Sequence, residues 1–176
     1  MLSLTAENLM IPLERYPHIP YWATIRDAIA KIHNAEISAN GRKSLARSLL
    51  VIDEDNKLLG IVRRRDILRG LEPECCFHGS LLHSKQIFEI KADPDLLEIS
   101  SEALIKSIPE KANKKISEVM QPIKHILDYN DHIMTIIYLI SETRMSTLPV
   151  IKEGVVVGVV RTVEVMDEIA KTLLVN

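Results

Sequence analysis

The chain has 176 residues, 47% of them hydrophobic and only 4% aromatic, enough apolar material for one ordinary core or two small ones and too much for a disordered segment. Its 22 Lys and Arg stand against 24 Asp and Glu, a net charge of -2, which excludes a chain-wide attraction to nucleic acid or an anionic membrane.

The first residues, Met1 to Glu7, lack the basic start and long apolar stretch of a secretory signal, and no apolar run reaches bilayer-spanning length. A soluble cytoplasmic protein with no membrane partner is expected. Asn8-Leu9-Met10-Ile11-Pro12-Leu13 then opens a pattern that recurs as Glu118-Val119-Met120-Gln121-Pro122-Ile123. Behind the first copy, Ile25, Ala28, Ile29 and Ile32 have helical spacing; behind the second, Ile133, Ile136, Ile137 and Ile140 have the same spacing.

In the first copy the segment from Glu36 to Arg47 is extra, and Ser38-Ala39-Asn40-Gly41 reads as a polar loop. A hairpin follows: Ser48 to Ile52, a turn at Asp53 to Asn56, then Lys57 to Val62. Its counterpart runs from Thr147 to Ile151, turns at Lys152-Glu153-Gly154 and returns from Val155 to Val160. Each hairpin leads into a helix, Arg63 to Leu71 and Thr162 to Leu174.

The unit is therefore β-α-β-β-α, occurring twice: residues 1–71 and 115–176, joined by a connector over 72–114. Each unit is too short to cover its own apolar face, so the two are expected to pack as a pseudo-symmetric α+β pair. Within the connector, Pro94-Asp95 followed by Leu96, Leu97, Leu104, Ile105 and Ile108 predicts an amphipathic helix ending at Pro109 and docking on the pair. Cys75 and Cys76 are adjacent, which strains an intrachain disulfide, and with His78 and His83 they match no zinc spacing, so no metal site is expected. No Gly-x-Ser-x-Gly, His-Glu-x-x-His or phosphate-loop motif occurs. No catalytic residue is assigned, and an enzyme is not expected.

The repeated order of Met-x-Pro, amphipathic helix, Leu-Pro-Val-Ile strand, Gly-Val-Val strand and acid-bearing helix start resembles the cystathionine-β-synthase (CBS) domain family over most of the chain. The resemblance implies a Bateman-type tandem module, regulatory and non-catalytic, with clefts between the units that in many members take adenine nucleotides or S-adenosyl compounds. AMP, ADP, ATP and S-adenosylmethionine are the implied ligands; no cofactor is required. It also implies a homodimer and a regulated protein partner, while nucleic acid ranks low. A ligand-free dimerising or scaffolding module is the alternative.

The family motif Gly-apolar-apolar-Thr/Ser-x-x-Asp appears as Gly60-Ile61-Val62-Arg63-Arg64-Arg65-Asp66 and as Gly158-Val159-Val160-Arg161-Thr162-Val163-Glu164. Glycine and acid recur, but arginine stands at both hydroxyl positions. A carboxylate there can accept hydrogen bonds from ribose hydroxyls, which makes Asp66 the leading ligand candidate and Glu164 its counterpart. Arg63, Arg64 or Arg65 offers a guanidinium fork for phosphate, and Arg47 and Arg144 ahead of the hairpins could reach a phosphate tail; in the second copy Arg161 places a bulky side chain where a ribose would approach, and Thr162 offers a displaced hydroxyl. His18, Ile19 and Pro149 are candidates to line a base. The competing reading is structural: helix-start acids cap the macrodipole, the arginines form a solvated face and Thr162 is a helix cap.

Overall fold

The computed structural model describes residues 4–39, 41–72 and 101–174. The Cys75 to His83 cluster and the start of the expected connector helix lie outside them. The elements run α1 Ala6–Leu9, β1 Ile11–Pro12, a 3-10 turn Leu13–Arg15, β2 His18–Pro20, α2 Ile25–Asn34, β3 Glu36–Ala39, β4 Arg42–Leu45, β5 Ser48–Ile52, β6 Leu58–Arg63 and α3 Arg64–Leu71. After the connector come α4 Ser101–Lys111, a 3-10 turn Ile116–Glu118, β7 Leu127–Asp128, α5 Ile133–Thr143, β8 Thr147–Lys152, β9 Val155–Arg161 and α6 Thr162–Leu174. The fold is α+β, built from two β-α-β-β-α units.

The two units share a topology because they share a pattern. β2 lies parallel to β5 and β5 antiparallel to β6; β7 lies parallel to β8 and β8 antiparallel to β9. Each central strand is largely apolar, and all five residues of β5 are buried, as expected for a strand flanked on both sides and covered by helices. Register shifts fall at equivalent places, Val51/Ile52 and Val150/Ile151. The β8–β9 turn places Glu153 and Gly154 at φ +52° and +84°, the paired positive values of a type I′ hairpin. Thr24 opens α2 with a reciprocal cap: its hydroxyl accepts from the Asp27 amide at 3.2 Å and its amide donates to Asp27 Oδ2 at 2.9 Å.

The Met-x-Pro segments are exchanged between the units. Ile11 and Pro12 pair with Val159 and Gly158 of β9, on the second unit. Gln121 pairs with Ile61 of β6, on the first, through backbone bonds of 3.0 and 2.9 Å. The flanking backbone repeats the crossing: Ala6 N–H donates to Asp131 and Ile133 N–H to Leu4, while Ile25 N–H donates to Lys114 and Ile116 N–H to Ala23. The outer edge of β9 is thus paired by β1 and that of β6 bridged by Gln121, which satisfies backbone groups that would otherwise be unpaired. The core follows the exchange, with Ala6 and Leu9 packed among Leu127, Ile133 and Leu148, and Ile116 among residues of the first unit.

Two expectations change. The extra segment of the first copy is a β-hairpin, β3 against β4 with Glu36 opposite Leu45. Its ends are anchored by buried Ile37 and Ala46, and Gly41 at φ +74° supplies the turn. The connector helix runs through Pro109 to Lys111, because a proline in the last turn removes one backbone donor without ending the ladder, and Ala112 N–H still reaches Ile108 at 2.9 Å. Its Ile105 and Ile108 are exposed, and its end is tied to the first unit through Arg26, which donates to the Pro109 carbonyl at 3.3 Å.

Candidate functional site

The strand-to-helix junctions of the two units place the acid-bearing motifs. Arg63 ends β6 with extended backbone and serves as the cap of α3. A hydroxyl residue there would accept a hydrogen bond from the first turn; arginine only donates. Arg63 instead folds onto Asp66 three residues on, Nε to Oδ2 at 2.8 Å and Nη2 to Oδ1 at 3.0 Å, while its backbone N–H donates to Oδ2 at 3.0 Å. Asp66 is 2% exposed. Burial alone would raise its pKa, but the Arg63 side-chain and backbone hydrogen bonds, aided by the charges of Arg63 and Arg65, hold the carboxyl below the usual aspartate range.

The second junction repeats this chemistry. Arg161 Nε donates to Glu164 Oε2 at 2.9 Å and Nη2 pairs with Oε1. The longer acid is buried as deeply as the first, at 4% exposure. Both carboxylates are therefore satisfied from within the chain.

A cavity of 990 Å³ opens where the two units meet. One wall is the start of α3, with Arg63, Arg64 and Arg65; the other two are the matching approaches to the central strands, Arg47 and Ser48 on one side and Thr143 to Thr147 on the other. Arg64 is oriented by a 2.9 Å bond to the Ala46 carbonyl. Arg144 caps α5 in the left-handed region at φ +54°. Behind Ser48, its Oγ lies 2.9 Å from buried Tyr16 Oη, whose ionisation burial pushes upward. Among the described residues, the cavity is lined by five arginines and no acid.

The two sides of the pair are unequal. Beside the start of α6 the β3–β4 hairpin closes in: Arg161 Nη1 donates to Ser44 Oγ at 2.9 Å, Arg42 pairs with Asp167 at 2.7 Å, and Arg15 reaches the Ser38 carbonyl. What remains next to Glu164 is a pocket of 100 Å³ that Ala39 helps to line.

The residues singled out from the sequence divide accordingly. Arg63 and Arg65 line the large cavity with Arg47 and Arg144. Asp66 lies behind it, facing a smaller cavity shared with Gly70 and Gln121. His18 is half-buried in a separate depression, its Nδ1 2.9 Å from the Tyr16 carbonyl, and Ile19 and Pro149 are buried strand residues. Arg161 and Glu164 lie under the hairpin, and Thr162 binds back to the Ser146 carbonyl. The hydroxyls of Ser48, Thr143, Ser146 and Thr147 in the cavity wall were not anticipated. The repeat register, which aligns Ser48 with Thr147 as first residues of β5 and β8, is the signal for two of them.

Among the described residues no group of three or more His, Cys, Asp or Glu is placed to hold a metal, and no helix is long and apolar enough to cross a membrane.

Comparison with known proteins agrees with this architecture. The CBS domain family model matches residues 23–73 and 116–171, and the chain belongs to the CBS-domain family. No curated protein sequence matches it. Among solved structures it is similar to a CBS domain-containing protein of unknown function from Bacillus anthracis, with 14% identity, 98% of this chain and 96% of the other covered, and a TM-score of 0.68. It is also similar to CBSX2 in complex with AMP, with 18% identity, 96% and 97% covered and a TM-score of 0.63. The cytosolic domain of the Mg2+ channel MgtE in complex with ATP matches at 19% identity over 93% of this chain and 48% of that one, with a TM-score of 0.59.

Proposed function

We propose that the chain is a non-catalytic regulatory module that senses an adenine nucleotide in the arginine-lined cavity between its two CBS units. The observation that carries this reading is the cavity itself: of the five arginines from both units that it brings to one opening, Arg63 is paired with Asp66 and the other four take part in no ion pair among the described residues, a setting that favours an anionic ligand touching both halves. AMP and ATP complexes of proteins with this fold support the nucleotide class. A ligand touching both units acts by favouring one arrangement of the pair over another. The sensor works in the cytoplasm as a homodimer, and the exposed apolar residues Met134 and Tyr138 of α5 and Met166 and Leu173 of α6 support a helix-mediated contact and a regulated protein partner. Calorimetry with ATP, ADP, AMP and S-adenosylmethionine tests the reading; absence of heat with all four removes it.

A second reading, a ligand-free dimerising or scaffolding module, is favoured by the internal pairing of both motif acids. It predicts a dimer whose sedimentation and melting are unchanged by nucleotide.

A further inference from the structure

We propose that the arginine cavity recognises the phosphate chain of its ligand and leaves the ribose unread, a reading that rests on the nucleotide-sensor function above. Recognition of a ribose needs a free acceptor pair for its two hydroxyls, and Asp66 is the acid placed to provide one. Its two oxygens already accept three bonds from Arg63, and the carboxylate is 2% exposed. Among the described residues, the cavity wall has no Asp or Glu to replace it.

What the wall does offer is positive charge. Arg63 is neutralised by Asp66, but among the described residues Arg47, Arg64, Arg65 and Arg144 take part in no ion pair. These four come from three separate stretches of chain, around one opening, with the hydroxyls of Ser48, Ser146 and Thr147 between them. A single phosphate carries about two negative charges at neutral pH, so it leaves two guanidiniums unmatched. A diphosphate chain, with about three charges, leaves one unmatched, and a triphosphate chain, with about four, matches them all and spans more of the opening. Each added phosphate gains charge-assisted bonds; removing the 2′-hydroxyl loses none.

The test is calorimetry on the full chain at fixed salt, without divalent cations, using adenosine, AMP, ADP, ATP, 2′-deoxy-ATP and inorganic tripolyphosphate. Affinity rises by about tenfold from AMP to ADP and again to ATP, deoxy-ATP binds within about twofold of ATP, adenosine gives no heat and tripolyphosphate displaces ATP. Arg65→Gln with Arg144→Gln, both at exposed positions, weakens ATP by about tenfold or more. Asp66→Asn, which releases Arg63 toward the cavity, leaves ATP binding as tight or tighter. A deoxy-ATP affinity about tenfold below that of ATP, or AMP binding as well as ATP, overturns the inference. Heat with tripolyphosphate but with no nucleotide supports phosphate recognition and removes the nucleotide sensor; silence with every compound removes both.

Discussion

A methyl group at Gly158 tests the exchange of the Met-x-Pro segments. A Cβ built there lies 2.5 Å from the Ile11 carbonyl oxygen, 3.0 Å from Met10 Sδ and 3.2 Å from the Ile11 carbonyl carbon. The first contact is with backbone, held in place because Pro12 pairs with Gly158 and Ile11 with Val159. Ordinary C···O contact begins near 3.3 Å, so β1 must retreat by roughly 0.8 Å. Overpacking of this kind costs about 1–3 kcal/mol, and each β1 hydrogen bond lost adds about 1 kcal/mol. Gly158→Ala should therefore destabilise by about 2–4 kcal/mol, lowering Tm by about 5–15 °C for a chain of this length. Gly60 is the equivalent position, where a Cβ lies 2.9 Å from both the Gln121 carbonyl oxygen and Met120 Sδ; the sulfur can swing aside, so Gly60→Ala should cost about 1–2 kcal/mol. Gly41, with nothing within 4 Å and φ +74°, is the control: Gly41→Ala should cost about 1 kcal/mol through backbone strain alone. Thermal unfolding by circular dichroism ranks the three. A Gly158→Ala protein melting as high as Gly41→Ala would falsify the exchanged arrangement.

Three further outcomes follow from the same geometry. The Asp66 carboxyl titrates lower in the folded chain than its ordinary value; its stabilising contribution is fully present above about pH 4 and is lost as pH falls through the folded value. Urea midpoints measured from about pH 7 down to about pH 2 should decline less steeply in Asp66→Asn than in the wild type, and parallel declines would rule out this residue as a source of the acid limb. Because the hairpin occupies the approach to Arg161, calorimetry should give one ATP per chain, and a stoichiometry of two would show that β3–β4 does not close the second side. Met134→Glu combined with Tyr138→Glu, at positions 59% and 63% exposed, should convert the proposed dimer to monomer in sedimentation velocity without lowering Tm; a dimer that survives both changes would place the contact elsewhere, and a wild-type chain that sediments as a monomer would remove the proposed dimer.

The repeat was legible because its signals are local. The apolar spacing of α2 and α5, the type I′ turn at Glu153-Gly154 and the glycine and acid flanking each strand-to-helix junction can all be read within a few residues. The exchange was not, since Ile11–Pro12 is a two-residue strand and nothing in its neighbourhood identifies β9 rather than β6 as its partner. The glycines at 60 and 158 are visible as a motif, but their physical reason, the close passage of Gln121 and Ile11, exists only in the packed pair. The added hairpin looked like a loop because Ile37 is its main apolar anchor, and one buried side chain in a polar run gives no period-2 signal.

The candidate site was half legible for a chemical reason. An acid at the third position of a helix usually returns a hydrogen bond to its cap residue, and a hydroxyl cap accepts one in exchange, leaving part of the carboxylate free. Arginine has no acceptor to offer, so in both units the cap position grips the acid with its side chain: Arg63 takes both oxygens of Asp66 and adds its backbone N–H, and Arg161 takes Glu164 while also donating to Ser44. In both units the acid itself is buried, at 2% and 4% exposure, and its charge is met by the arginine. The charge left open to solvent at the junction of the units is then that of Arg47, Arg64, Arg65 and Arg144, and the anionic sign of the proposed ligand rests on those side chains rather than on the acids of the motif.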